Sequence, residues 1–197
     1  MRIIDISQEL ISCNVYPGDP RPTLKRTKST DDGEIYNLSE LSLCVHNGTH
    51  IDAPFHFLPN GRTVEGIPLD ACVGECYVAR YDGCLDAEGA RRILRDADGA
   101  ERILIGGKVT VTEESARIFA DARIKLIGNE GTSVGPEDAP MEVHKILLEK
   151  SVVLLEGIVL DGVNEGKYFL SAAPLNINGA DGSPCRAILI KNKEVCL

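Results

Sequence analysis

The chain has no tryptophan, and aromatic residues make up only 5% of its 197 positions. Any ligand pocket it forms therefore has few stacking surfaces. It also lacks a long lysine or arginine run and carries a formal net charge of −9. That removes the electrostatic footprint expected of a nucleic-acid-binding protein and leaves a small molecule as the better partner. No window approaches the ~18 uncharged apolar residues of a transmembrane helix. The opening Met1 to Glu9 lacks the unbroken apolar core of a signal peptide. Cysteine is present but unpatterned: seven residues, an odd number, scattered at 13, 44, 72, 76, 84, 185 and 196. This excludes a disulfide framework and suits free thiols in a reducing cytoplasm. The cluster Cys72, Cys76 and Cys84 has a C-x3-C-x7-C spacing outside the usual zinc-ribbon and redox patterns. These three are read as buried structural cysteines.

Hydrophobic residues at 43% and charged residues at 26% describe an ordinary globular protein, and the length suits one domain spanning residues 1–197. Strand and helix signals alternate along it, giving the α/β class. Ile3, Ile4, Ile6 and Leu10 mark a first strand, and Tyr16-Pro17-Gly18-Asp19-Pro20 breaks any regular element. Residues 21–36 read as an exposed loop or irregular hairpin. The alternation from Leu38 to Val45 predicts a strand with one apolar face, delivering the chain directly into His46. Further strands are expected at Cys76–Tyr81, Arg102–Gly106, Ile124–Gly128, Ser151–Leu155, Tyr168–Leu170 and Cys185–Ile190, with a loop over Asn178–Pro184. Helices are expected over Asp86–Asp96, with Ala87, Ala90, Ile93 and Leu94 inward, from Thr112, and after Pro136–Pro140. In the last of these Met141, His144, Leu147 and Leu148 share a face.

Three of the four histidines fall in one stretch, His46-Asn47-Gly48-Thr49-His50-Ile51-Asp52-Ala53-Pro54-Phe55-His56, with an aspartate between the last two. Imidazole and carboxylate are the common ligands of zinc-like divalent ions where thiolate is absent. His46 and His50 are four apart, as on a metalloprotease helix, but Gly48, β-branched Thr49 and Ile51, and Pro54 oppose a helix. A strand end running into a tight glycine turn is the expectation. The fourth histidine, His144, lies on the apolar face of a helix, and Glu156 closes an otherwise apolar strand. A carboxylate there is costly to bury unless it is paired or bound to a metal. Taken singly, His144 reads equally as a hydrogen-bonded core residue and Glu156 as a salt-bridged edge residue.

The run H-x-G-T-H-x-D-x-P-x-H resembles the signature of the cyclase-like family of metal-dependent hydrolases, which includes bacterial kynurenine formamidases. The resemblance extends through the Tyr16-Pro17-Gly18-Asp19 turn, Leu126-Ile127-Gly128 with Ser133, the His144 helix, Leu154-Leu155-Glu156-Gly157 and Gly182-Ser183-Pro184-Cys185-Arg186-Ala187. It implies a swivelling β/β/α domain, a mixed sheet with flanking helices, assembled as a homodimer or homotetramer. It implies metal binding by His46, His50 and Asp52, with Asp52 bridging two ions, and by His144 and Glu156 at the second ion. It further implies that His56 is the proton donor and acceptor and not a ligand. The ions would be zinc, with manganese or cobalt compatible with the same ligands. The implied activity is hydrolysis of N-formyl-L-kynurenine or a related aryl amide. Ring opening of a cyclic amide or ester, as in isatin hydrolysis, and metal binding without catalysis are the alternatives. The family's members commonly carry Trp where this chain has Tyr16, the residue expected to meet an aryl substrate, and Ile-Asp where it has Asn129-Glu130.

Overall fold

Each central strand of the protein buries both of its faces. A computed structural model describes residues 1–191. In chain order the strands are β1 (Arg2–Asp5), β2 (Thr23–Lys28), β3 (Leu38–Ser42), β4 (His50–Asp52), β5 (Val73–Arg80), β6 (Gly83–Leu85) and β7 (Arg102–Gly106). They continue as β8 (Val109–Val111), β9 (Leu126–Asn129), β10 (Val153–Glu156), β11 (Gly166–Ser171), β12 (Gly182–Pro184) and β13 (Ile188–Lys191). The helices are α1 (Leu69–Cys72), α2 (Ala87–Ala97), α3 (Glu113–Asp121) and α4 (Met141–Leu148).

Nine strands form one mixed sheet in the order β1-β13-β11-β5-β7-β9-β10-β4-β12. The run β5-β7-β9-β10 is parallel, with α2, α3 and α4 in the crossovers, and the remaining pairings are antiparallel. A strand covered on both faces needs apolar residues at odd and even positions alike, and Arg102-Ile103-Leu104-Ile105-Gly106 and Val153-Leu154-Leu155 supply them. Ile103, Ile105, Ile127 and Leu154 face one core with α2, α3 and α4. Leu104, Leu126, Val153 and Leu155 face the other, where Ile51, Leu170 and Leu189 from both ends of the curled sheet meet them.

The helices begin where short polar side chains satisfy their free N–H groups. Asp86 accepts from the backbone N–H of Gly89 at the start of α2, and Thr112 forms a capping box with Ser115 at the start of α3. In α2, Ala87, Ala90 and Ile93 are buried as expected, and Leu94 packs partly against the same core.

Several expectations are corrected. The strand beginning at Leu38 stops at Ser42, and all five of its residues are exposed. It pairs only with β2, in a hairpin whose backbone satisfies itself away from both cores, so its alternation reaches no core. The first strand ends at Asp5, and Ile3 is exposed. Met141 is also exposed, because it is the first residue of α4 and projects beyond the sheet that covers His144, Leu147 and Leu148. Cys72 and Cys76 are buried, but Cys84 is exposed at the start of the short β6–β8 pair. Cys196 lies outside the described residues. The end of the expected 178–184 loop is β12, which pairs with β4. Among the described residues no helix is long and apolar enough to cross a membrane.

Candidate metal centre

The turn precedes the strand, the reverse of the order expected from sequence. Residues 45–49 form the turn, with Gly48 at φ +67°, and the chain then enters β4. No helix forms there, as the glycine and β-branched residues dictate. Successive side chains of a strand point to opposite faces, so Ile51 enters the core while His50 and Asp52 share the other face. Register with β10 sets Glu156 opposite His50 and Leu154 opposite Asp52. Leu154 packs against the helix layer, and from that side α4 brings in His144. The crossing of the turn and the strand end needs a glycine: a Cβ on Gly157 would lie 2.4 Å from the Gly48 carbonyl oxygen.

Backbone carbonyls hold two of the imidazoles. His50 Nδ1 lies 2.9 Å from the Gly48 carbonyl, which leaves Nε2 3.4 Å from Asp52 Oδ1 and 3.5 Å from Glu156 Oε2. His144 Nδ1 lies 2.8 Å from the Pro140 carbonyl, and its Nε2 is 3.2 Å from Glu156 Oε1 and 3.5 Å from Asp52 Oδ2. A ring whose Nδ1–H is donated to a carbonyl presents a bare Nε2, the form a metal takes. Glu156 Oε1 also accepts from the Val134 backbone N–H at 2.7 Å. His46 Nδ1 is 2.8 Å from Asp52 Oδ1, and its Nε2 is 2.9 Å from Asp181 Oδ2. His56 lies on a 3-10 turn behind Pro54, its ring 4.0 Å from that of His46, with Nδ1 3.3 Å from the same Asp181 oxygen.

The cluster is strongly polarised. Burial disfavours charge on His144, but the Asp52 and Glu156 carboxylates beside it outweigh this and raise its imidazole to about 10. His50 moves the same way for the same reasons. Burial likewise opposes charge on Asp52, yet the imidazoles of His144, His46 and His50 around it hold its carboxyl well below the usual range. For His56 burial dominates, and the neighbouring His46 and His144 add to it, so its imidazole is lowered.

A divalent metal fits this donor set. Two buried carboxylates and several imidazoles converge, and Asp52 Oδ2 is buried without a hydrogen-bond partner. Two sets of potential ligand atoms lie within 4.8 Å of one another: His46, Asp52 and His56, and His50, Asp52 and Glu156. Asp52 belongs to both sets, and His144 adjoins the second. His56, expected to stand apart from the ligands, is therefore within reach of the first. Cys44 lines the same cavity, but its thiol donates to Asp19 and burial pushes its pKa up, so it supplies no thiolate.

The cavity above the cluster has a volume of about 400 Å³. Tyr16, Phe57, Thr132, Ser133 and Pro140 form its walls, and Asp19 and Asp181 its acidic rim. Tyr16 is fixed by its hydroxyl, which donates to the Glu137 carbonyl at 2.6 Å. Sequence reasoning missed Asp19, Cys44, Phe57 and Asp181 as members of the site. Asp181 directly precedes the Gly182–Ala187 segment, and an acid held between Gly179 and Gly182 was the signal available for it.

The Cyclase family model matches residues 4–102, which carry the whole histidine stretch. A kynurenine formamidase of Erythrobacter litoralis is 35% identical, over 95% of this chain and 93% of the relative. The chain belongs to the cyclase family. Among solved structures, a potential metal-dependent hydrolase with cyclase activity superposes with a TM-score of 0.81 at 29% identity, covering 95% of this chain and 96% of the other. Isatin hydrolase A of Labrenzia aggregata, bound to benzyl benzoate, shares the cyclase-family fold, with a TM-score of 0.82 at 23% identity and coverage of 97% and 94%. The relatives cover almost the full chain, including the α4 and β10 residues that the family model does not reach.

Proposed function

We propose that the protein is an arylformamidase, hydrolysing N-formyl-L-kynurenine or a related N-formyl aryl amide to formate and the free amine. The observation that carries the metal chemistry is Asp52, a buried carboxylate common to two ligand sets with one oxygen lacking any hydrogen bond. With His46, His50, His144 and Glu156 it would hold two divalent ions, zinc in the first instance. Bound there, divalent ions supply Lewis acidity toward the amide carbonyl and lower the pKa of water.

The protein's own groups do the rest. Tyr16 and Phe57 give the cavity two aromatic surfaces for an aryl ring. His56, with 28% of its side chain exposed, meets both the cavity and the ligand cluster. It takes the proton from the attacking water and returns it to the departing amine nitrogen as the C–N bond breaks, so that one water is consumed, the ring ends as it began, and the formic acid formed releases its proton to solvent as formate. A lowered imidazole pKa keeps it in the base form near neutrality. The exposed β2–β3 hairpin, with Leu24, Leu38 and Leu41 on its surface, is consistent with assembly as a homodimer or homotetramer. Unpaired cysteines suit a cytoplasmic location.

The test is metal analysis of protein purified without chelator, combined with assays on N-formylkynurenine, formanilide and a lactam such as isatin. Near two zinc equivalents and preference for the formyl amides are expected. Preference for the lactam would replace this reading with ring opening, and stoichiometric metal without turnover would leave a metal-binding protein. Tyr16→Ala is expected to raise KM for the aryl substrate several-fold while kcat changes little.

A further inference from the structure

Asp181 has one carboxylate oxygen on two histidines of different duty. Its Oδ2 lies 2.9 Å from His46 Nε2 and 3.3 Å from His56 Nδ1. The position of Asp181 is itself fixed: its carbonyl accepts from the Ala53 backbone N–H at 2.9 Å, and the next residue, Gly182, is registered opposite Asp52. Gly182 leaves room for the His46 ring against β12, since a Cβ there would sit 2.5 Å from His46 Cε1. The 181–182 pair is thus shaped around His46.

We propose that Asp181 is a positioning residue that sets the tautomer of both rings at once; this rests on the hydrolase reading above. A ring that donates Nε2–H to Asp181 presents a bare Nδ1, and on His46 that nitrogen is the one facing Asp52 at 2.8 Å. The same carboxylate, accepting Nδ1–H from His56, leaves His56 Nε2 to take and return a proton. An outer carboxylate that orients a metal-binding imidazole contributes roughly 10–100-fold in metal affinity. One that orients a proton-transferring imidazole acts through the rate and not through substrate binding. The two histidines, their rings 4.0 Å apart, are therefore kept in complementary tautomers by a single group.

The experiment uses the full chain with Asp181→Asn, which keeps the shape and replaces the carboxylate, and Asp181→Glu, which keeps the charge. Zinc affinity is measured by competition with a chromophoric chelator, and turnover of N-formylkynurenine at saturating zinc. Asp181→Asn is expected to weaken zinc binding about 10-fold or more and to lower kcat with KM nearly unchanged, and Asp181→Glu to recover part of both. In the His56→Ala background, Asp181→Asn should lower kcat no further, while its loss of zinc affinity persists. Unchanged zinc affinity with unchanged kcat overturns the proposal, as does an equal kcat loss with and without His56. If Asp181→Asn fails to fold, Asp181→Ser is read by the same criteria. If the wild-type protein hydrolyses none of the amides, the functional reading alone fails, and the zinc titration still decides the role of Asp181.

Discussion

His50, Asp52, His144 and Glu156 expose 3%, 1%, 3% and 4% of their side chains, whereas His56 and Asp181 expose 28% and 42%. One cluster thus has a dry floor and a wet rim, joined by His46 at 12%. On the floor an unpaired charge has no water to fall back on, so every carboxylate oxygen needs a proton donor or an ion. Groups on the rim can exchange protons with solvent and meet a substrate. On the proposed reading the comparison separates holding from reacting: the floor would bind the ions, and on the rim His56 would move protons while Asp181 positions its ring.

The largest effect is expected from breaking the floor. Asp52→Asn removes the group shared by both ligand sets, and zinc stoichiometry by elemental analysis should fall below one per chain, with turnover at background. Retention of two zinc ions would show that Asp52 is not the bridge.

His56→Ala attacks the rim alone. It should keep its zinc and lose about 10²–10⁴-fold in kcat, the usual contribution of a positioned acid-base group. Near-normal activity would remove His56 from the reaction, and lost zinc would make it a ligand, as its proximity to His46 and Asp52 allows.

A smaller and graded effect is expected from pH. The Asp52 and Glu156 carboxylates push His144 up to about 10, well above the ~6.5 of an unfolded chain. Its ion pairs therefore stabilise the apo fold fully below about 6.5, and this contribution is lost as pH rises toward 10. Zinc needs the neutral ring, so binding must expel the proton. Zinc affinity should rise with pH across that window, and the gap in Tm between zinc-loaded and zinc-free protein should widen. Calorimetry in buffers of different ionisation enthalpy should show proton release near pH 7. An uptake enthalpy independent of buffer would contradict the protonated floor.

Much of this was legible in the sequence where a local rule and the tertiary environment agree. The apolar run Ile103-Leu104-Ile105 reads as a strand buried on both faces, and Thr112 followed by Glu113, Glu114 and Ser115 reads as a helix start, as observed. The β2–β3 hairpin shows the opposite case. Leu38, Glu40 and Ser42 alternate with Ser39 and Leu41 as a half-buried strand would, yet the whole element is exposed. Periodicity reports a capacity to bury one face and says nothing about whether anything arrives to cover it. Residues 182–184 fail for the converse reason. Gly182-Ser183-Pro184 has little strand propensity, and β12 exists because β4 offers it an unpaired edge.

The sequence by itself determined the chemistry of the stretch from His46 to His56: imidazoles and a carboxylate at alternating positions, with glycine and proline excluding a helix. Those properties belong to residue types and short-range backbone preferences, so they can be read without a fold. Only the tertiary structure decided which groups face one another across β4, β10, β12 and α4. It brought His144 and Glu156 to the floor from some ninety residues away and Asp181 to the rim from farther still. It also set His56 close enough to His46 to share a carboxylate with it. Register between strands and the packing of a helix on a sheet fix those distances, and both depend on the whole buried core.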